Sequence, residues 1–283
     1  MIRRVKNLVR RIMTSTVMIL KSQKVVPIYR ECDNEQLLAG KTALITGGTG
    51  GIGFAIAEEF LRSGCKVIIC GTDEGKLNKK LGELKKYGNK INGMTLNLRD
   101  VSSFPMLIKT AAQMGGQIDI LVNSADVHNS EVRFLDVSEN EYDFIMDINA
   151  KGLYFMMQAY AKYCIEQNVR AHILNISSQS ALEPSWSPYR ASKLNVEGMT
   201  RGFAQKLIKF GIVVNAIGPG PTATAMQNYE EGGNIHTLDN PIERYTMPEE
   251  VAQYAKYFVS GLGDTIVGDT LYMSGGRGII ELK

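Results

Sequence analysis

Two side chains four residues apart in "SPYRASKLNVEG", Tyr189 and Lys193, define the chemistry this chain could perform. At helical spacing they share a face and lie within about 6 Å of each other. A free phenol, with a pKa near ~10, is a poor general base at neutral pH. Bringing it toward ~7 takes about 4 kcal/mol of preferential stabilisation of the phenolate, at about 1.36 kcal/mol per unit. An ammonium group one turn away in a partly dry cleft supplies stabilisation of that sign. Tyrosine and lysine at this spacing also arise on ordinary exposed helices, so the pair takes its meaning from its surroundings. An apolar run ending in Ser177-Ser178 precedes it, and "FGIVVNAIGPG" follows it.

The second chemical stretch is "TALITGGTGGIGFAIAEEF", which begins at Thr42. Its glycines can be counted in two ways. Gly48, Gly50 and Gly53 spell G-x-G-x-x-G, whereas Gly47, Gly51 and Gly53 spell G-x-x-x-G-x-G. Both counts put a phosphate-binding turn between a strand and a helix, where the backbone approaches a pyrophosphate held at the helix N-terminus. A glycine-rich turn in some other α/β protein would look alike, so this stretch does not choose between the counts by itself.

Regular elements must hold these residues in place. β-rich apolar runs predict strands at 42–46, 66–70, 91–96, 119–123, 171–176, 212–217 and 269–273, with helical patterns in the intervals. Helices are expected over 51–63, 138–166 and 188–210, and a further one opened by Thr246-Met-Pro-Glu249 as a capping box with an early proline. Such alternation implies an α/β, doubly wound parallel sheet of about seven strands with helices on both faces. Ligands of such sheets bind beyond the carboxyl ends of the strands, where every motif named here falls. Residues 221–245 have no clear periodicity and read as a mobile substrate loop.

The chain has 283 residues, 44% apolar, with no linker or repeat. That fits one domain over 40–283 preceded by an extension over 1–39. Cys32, Cys65, Cys70 and Cys164 show no C-x-x-C spacing and His128, His172 and His236 are scattered, which argues against a metal site or a disulfide framework and fits a reducing cytoplasm. Residues 1–30 carry eight basic and no acidic side chains; the remaining 24 basic and 29 acidic residues give the body a net charge of −5 and no nucleic-acid surface. Within 1–13, Ile2, Val5, Leu8, Val9 and Ile12 fall on one helical arc and the arginines on the other. That is the pattern of a helix lying on an anionic bilayer; an organelle-targeting segment, a frayed tail or a helix docked on a neighbouring subunit remain the alternatives.

From Lys41 to about Gly278 the chain resembles the short-chain dehydrogenase/reductase family, 3-oxoacyl-acyl-carrier-protein reductases included. The resemblance rests on the glycine turn, "LVNSAD", "DINAKG", Ser177-Ser178, Tyr189/Lys193 and "GPG". It selects the count T-G-x-x-x-G-I-G: Thr46, Gly47, Gly51, Ile52 and Gly53. It implies a single-domain Rossmann fold and an oxidoreductase that moves hydride between a nicotinamide cofactor and a carbonyl or secondary alcohol. Tyr189 would exchange the proton at the reacting oxygen, and Lys193 would depress its pKa while binding the nicotinamide ribose. Ser178 would hold the substrate carbonyl, with Ser177 as the alternative, and Asn149 would support a water-mediated relay through the lysine. Asn123 would brace the central strands, Asn97 would stand where an aspartate commonly contacts adenine, and Thr224 would place a hydroxyl near the carboxamide. Thr49, Thr72, Leu98, Ala125, Pro219, Gly220 and Thr222 complete the expected cofactor-binding set. Homodimers or homotetramers built on the long helices are the family's habit.

Two departures stand out. The family's N-N-A-G is Asn123-Ser124-Ala125-Asp126 here, so a glycine beside the cofactor has become an acid. Asp126 reads either as a solvent-facing acid or as a substrate contact favouring a polar or cationic ligand. The interval from Ser178 to Tyr189 is also about two residues short of the family's usual spacing. In "VIICGTDEGKL", Gly71 and Thr72 occupy the position where an NAD enzyme places its ribose-binding carboxylate, which favours NADP(H) over NAD(H) although Asp73 is near. A sugar or polysaccharide-precursor dehydrogenase held near a membrane, or a non-catalytic cofactor-binding scaffold, are the rival readings.

Overall fold

A computed structural model of the chain describes residues 36–128, 134–230 and 232–280. The amphipathic pattern over 1–13 lies outside them. Seven parallel strands form one sheet: β1 Thr42–Thr46, β2 Lys66–Gly71, β3 Ile91–Thr95, β4 Ile120–Asn123, β5 Ala171–Ile176, β6 Ile212–Pro219 and β7 Thr270–Met273. Their order is β3-β2-β1-β4-β5-β6-β7. The chain therefore winds outward first to one side of β1 and then to the other, leaving a crevice beyond the carboxyl ends of β1 and β4.

The helices are α1 Gly51–Arg62, α2 Glu74–Leu84, α3 Phe104–Gly115, α4 Glu139–Met146, α5 Leu153–Glu166, α6 Pro188–Leu207 and α7 Pro248–Phe258. Successive strand residues point to opposite faces, and the two cores divide accordingly. Leu44, Ile68, Leu121, Ile173 and Val214 pack with Phe104, Met156, Tyr160 and Val196. Ala43, Ile45, Val67, Ile69, Val122 and Leu174 pack with Ile56, Phe60, Val251 and Phe258. Because both faces are covered, the inner strands are continuous apolar runs, as a parallel sheet requires. Phe60 and Phe104 are completely buried, each contributing about 2 kcal/mol by leaving water.

Three details add to the sequence expectations. Leu38, on the extension's side of the 39/40 boundary, is fully buried and its N–H reaches the Ser63 carbonyl. The helix expected over 138–166 is α4 and α5 joined by a π-helical turn, Asp147–Gly152. The capping box of α7 sits one residue later than read: the Glu250 carboxylate accepts from the Met247 N–H at 2.8 Å, while the Thr246 hydroxyl donates to the Met273 carbonyl. α7 is tied to α1 by a buried ion pair, Lys256 Nζ to Glu59 Oε1 at 2.6 Å.

Candidate active site

Tyr189 occupies the first turn of α6, whose N-cap Ser187 accepts from the Arg190 N–H and whose first residue is Pro188. Lys193 follows one turn later on the same face, its Nζ 5.4 Å from the Tyr189 ring centroid. Lys193 is almost completely buried, and its ammonium donates to the Ile176 carbonyl at the end of β5. Ser178 leaves β5 there; its hydroxyl accepts from the Ser180 N–H at 3.1 Å and favours the ionised form of the Tyr189 phenol.

The alternative, Ser177, points elsewhere. Its hydroxyl donates to Glu197 Oε1 at 2.6 Å, and Glu197 also accepts from the Thr270 hydroxyl. A carboxylate buried under α6 is thereby satisfied, and Ser177 is occupied in joining α6 to the sheet.

Asp126 does not simply point to solvent. Its carboxylate lies 2.7 Å from Lys193 Nζ, and its charge disfavours ionisation of the neighbouring Tyr189 phenol. His128, two residues on, stands edge-on to the Tyr189 ring with centroids 4.2 Å apart. Sequence reading noticed the unusual acid at 126, but its partners are distant in the chain and carried no local signal.

This constellation alters the expected electrostatics. Burial raises the Tyr189 pKa, Lys193 pulls it down, and the Asp126 charge pushes it up again; the net result lies above the ordinary phenol value. Lys193 therefore acts in the expected direction, while burial and the Asp126 charge outweigh it. Burial would lower the Lys193 pKa, but Asp126, Tyr189 and Glu197 outweigh it and hold the pKa above the ordinary lysine value. Burial lowers the His128 pKa, with Asp126 opposing that shift and Lys193 adding to it.

Asn149 lies in the π-helical turn, a deformation that often marks a functional position. Its side chain does not touch Lys193. The amide clasps Val127 at both ends, accepting from the N–H at 2.9 Å and donating to the carbonyl at 2.8 Å, and it also donates to the Ser192 hydroxyl at 3.1 Å. It thus fixes the loop that carries Asp126 against the helix that carries Lys193.

The glycine turn discriminates between the two counts. Gly47 has φ +66°, and a Cβ there would stand 2.6 Å from the Ala125 backbone. At Gly51 it would meet the Thr224 methyl at 2.5 Å, and at Gly53 it would overlap the Gly47 carbonyl oxygen. Gly50 is the N-cap of α1 and would meet only that same oxygen, at 3.3 Å. The tight positions are therefore those of T-G-x-x-x-G-I-G, with Gly48, close to Ile69, as one more. A loop whose backbone lies open at the N-terminus of a 12-residue helix fits the pyrophosphate of a dinucleotide.

Around that cradle the other expected residues divide. The Thr46 hydroxyl accepts from the Ala125 N–H, tying β1 to the loop after β4. Asn123 donates to Asn175 Oδ1 at 2.9 Å, and Asn175 donates to the Thr200 hydroxyl, bracing β4, β5 and α6. Thr49 lies over Gly71, where no side chain intervenes, and Ile52 packs beneath the turn. Thr72 and Asn97 are exposed just beyond the ends of β2 and β3, and the Asn97 side-chain oxygen Oδ1 accepts from the Arg99 N–H. Leu98 is buried with its own carbonyl against Gly152. Pro219 ends β6 beside Met273, Gly220 abuts the Ser274 backbone, and the Thr222 hydroxyl donates to the Gly220 carbonyl.

The described cysteines, Cys65, Cys70 and Cys164, are buried, with burial pushing the thiols of Cys70 and Cys164 up to about 12. Among the described residues no group of three His, Cys, Asp or Glu could hold a metal, and no helix is long and apolar enough to cross a membrane. A cavity of about 760 Å³ opens away from Tyr189, on the outer faces of α5 and α6 between Tyr154, Gln158, Leu194, Met199 and Phe203.

Comparison with known proteins gives these features a context. Residues 41–233 match the short chain dehydrogenase family. The 3alpha-hydroxysteroid dehydrogenase of Mediterraneibacter gnavus is 33% identical over 245 residues, covering 84% of this chain and 97% of that protein. Among solved structures, actinorhodin polyketide ketoreductase with NADPH is 28% identical with a TM-score of 0.76, covering 85% of this chain and 98% of the other. The 3-ketoacyl-(acyl-carrier-protein) reductase from Brucella melitensis complexed with NADH is 27% identical, also with a TM-score of 0.76, covering 86% of this chain and the whole of that one.

Proposed function

The chain belongs to the short chain dehydrogenase family and is a nicotinamide-dependent oxidoreductase acting on CH–OH and C=O groups; from that premise we propose that it reduces a ketone, a 3-oxoacyl thioester or a compound of similar shape, with NADPH. The observation that carries the reading is the Lys193 ammonium 5.4 Å from the Tyr189 ring on one helical face, with Ser178 also favouring the ionised phenol.

Tyr189 delivers the proton to the substrate oxygen, and Ser178 holds that oxygen by a hydrogen bond. Lys193 restores the balance of charge as the phenol ionises, and Asn149 keeps the loop and α6 in register around it. The Gly47–Gly53 turn would hold the pyrophosphate of a dinucleotide, with Thr46, Ala125, Pro219, Gly220 and Thr224 completing its seat, and its nicotinamide would supply the hydride.

NADP(H) is favoured because Gly71 removes the carboxylate that would repel a 2′-phosphate and Thr72 is open to solvent beside it. The nearby Asp73 is turned to the N-terminus of α2, where it accepts from the Lys76 N–H at 2.6 Å. The apolar groove on α5 and α6 supports a homodimer or homotetramer meeting on that face. A cytoplasmic enzyme, whose basic residues 1–13 make peripheral membrane contact, is the accompanying expectation.

Fluorescence titration with NADPH and NADH, followed by a panel of ketones and alcohols, tests the reading. Tighter NADPH binding and turnover of ketones at neutral pH are expected. Stronger NADH binding would reverse the cofactor assignment, and turnover confined to sugars would favour the sugar dehydrogenase instead.

A further inference from the structure

We propose that Asp126 is a positioning residue that holds Tyr189 in its protonated form at neutral pH and thereby biases this site toward carbonyl reduction. The inference rests on the oxidoreductase reading above and adds to it a residue and a direction.

The geometry is specific to an acid at this position. Asp126 follows Ala125, whose backbone lies against Gly47, so its side chain enters the site beside the dinucleotide turn. The carboxylate lies 2.7 Å from Lys193 Nζ, and its charge acts on the Tyr189 phenol beside that ammonium. Lys193 is 2% exposed and Asp126 about one-fifth exposed, so water screens this pair only in part.

Among the described residues, the charged and titratable groups facing Tyr189 come from two elements. Lys193 approaches from α6, and Asp126 and His128 from the loop after β4. Glu197 acts on Lys193 from the next turn of α6 but is committed to the hydroxyls of Ser177 and Thr270. Ser178 contributes a neutral hydroxyl. Burial disfavours the charged form of His128, so at neutral pH it adds no cation. Among the described residues Asp126 is thus the anion paired with the ammonium beside the phenol, and it offsets the charge that would draw the proton off.

The consequence is directional. In reduction the Tyr189 O–H bond breaks and its proton passes to the carbonyl oxygen, which takes up the C=O π pair as the carbon accepts hydride. The phenolate then regains a proton from solvent. Oxidation of an alcohol must start from that phenolate, the form that Asp126 disfavours. An acid at 126 therefore extends the pH range of the reductive direction upward and delays the onset of the oxidative one.

The test uses the full chain with ring-labelled tyrosine and Asp126→Asn and Asp126→Gly variants. Carbon NMR of the cofactor-free protein follows the phenol, with Tyr189→Phe identifying its signal among the 12 tyrosines. In both variants Tyr189 is expected to ionise about 1 to 3 pH units lower. The falling limb of ketone reduction and the rising limb of alcohol oxidation should move down with it. An unshifted or raised phenol titration in a folded Asn variant overturns the proposal; that variant is isosteric and carries the test if the Gly variant does not fold. A shifted phenol with no turnover of any ketone or alcohol would support the Asp126 pairing and overturn the enzymatic reading instead.

Discussion

The loop after β1 and the loop after β4 lie side by side at the carboxyl edge of the sheet, yet different physics shapes them. In the first, Gly47–Gly53, the backbone is the functional group. Gly47, Gly51 and Gly53 are glycines because any Cβ would strike the Ala125 backbone, the Thr224 methyl or the Gly47 carbonyl oxygen. In the second, Ser124–His128, side chains do the work, and there is room for them: Asp126 extends into the site and pairs with Lys193. Hydrogen bonds from the N–H groups of Ser124 and Ala125 to Thr46 join the two. A loop fixed by steric exclusion tolerates little change. A loop fixed by charge can take a new residue and alter the chemistry beside it without altering the fold.

The comparison breaks if the two kinds of change fail to separate. Replacing Tyr189 by Phe should lower turnover about 10² to 10⁴-fold while leaving dinucleotide titration unchanged; lost binding would mean that the phenol belongs to the seat as much as to the chemistry. Ser178→Ala should cost about 10²-fold in kcat with little change in the melting temperature. Gly47→Ala should act in the opposite sense, losing about 1 to 3 kcal/mol of stability by denaturant melt and weakening dinucleotide binding, from a clash at 2.6 Å and a positive φ. Ser177→Ala is expected to cost about 1 to 3 kcal/mol through the uncapped Glu197, with kcat retained. Gly50→Ala should be the mildest, within about 1 kcal/mol, and would sharpen the choice of glycine count.

The sequence is informative about whatever a periodic pattern or a steric rule dictates. The strands fall within a residue or two of their expected bounds because fully buried parallel strands leave unbroken apolar runs. Tyr189 and Lys193 were legible because both lie on one helix, where spacing alone sets geometry. Ser177 and Ser178 could not be separated, since which one faces α6 depends on where β5 ends and how the chain turns. The partner of Asp126 was hidden for a related reason: β4 and α6 meet only in the folded sheet. The extra residue of the Asp147–Gly152 turn likewise has no local signature, so α4 and α5 read as one helix. The capping box shifted by one because Glu249 and Glu250 are both acids, and only the backbone decides which reaches back.

That wide turn has a mechanical consequence. Its single amide at Asn149 measures the gap between loop and helix, touching the chain next to Asp126 and the hydroxyl next to Lys193. Deleting one residue there would rotate the following helix by about 100° and swing the gauge out of the gap. The spacing between acid and amine would then be set by their own attraction, with no third group to hold them to it.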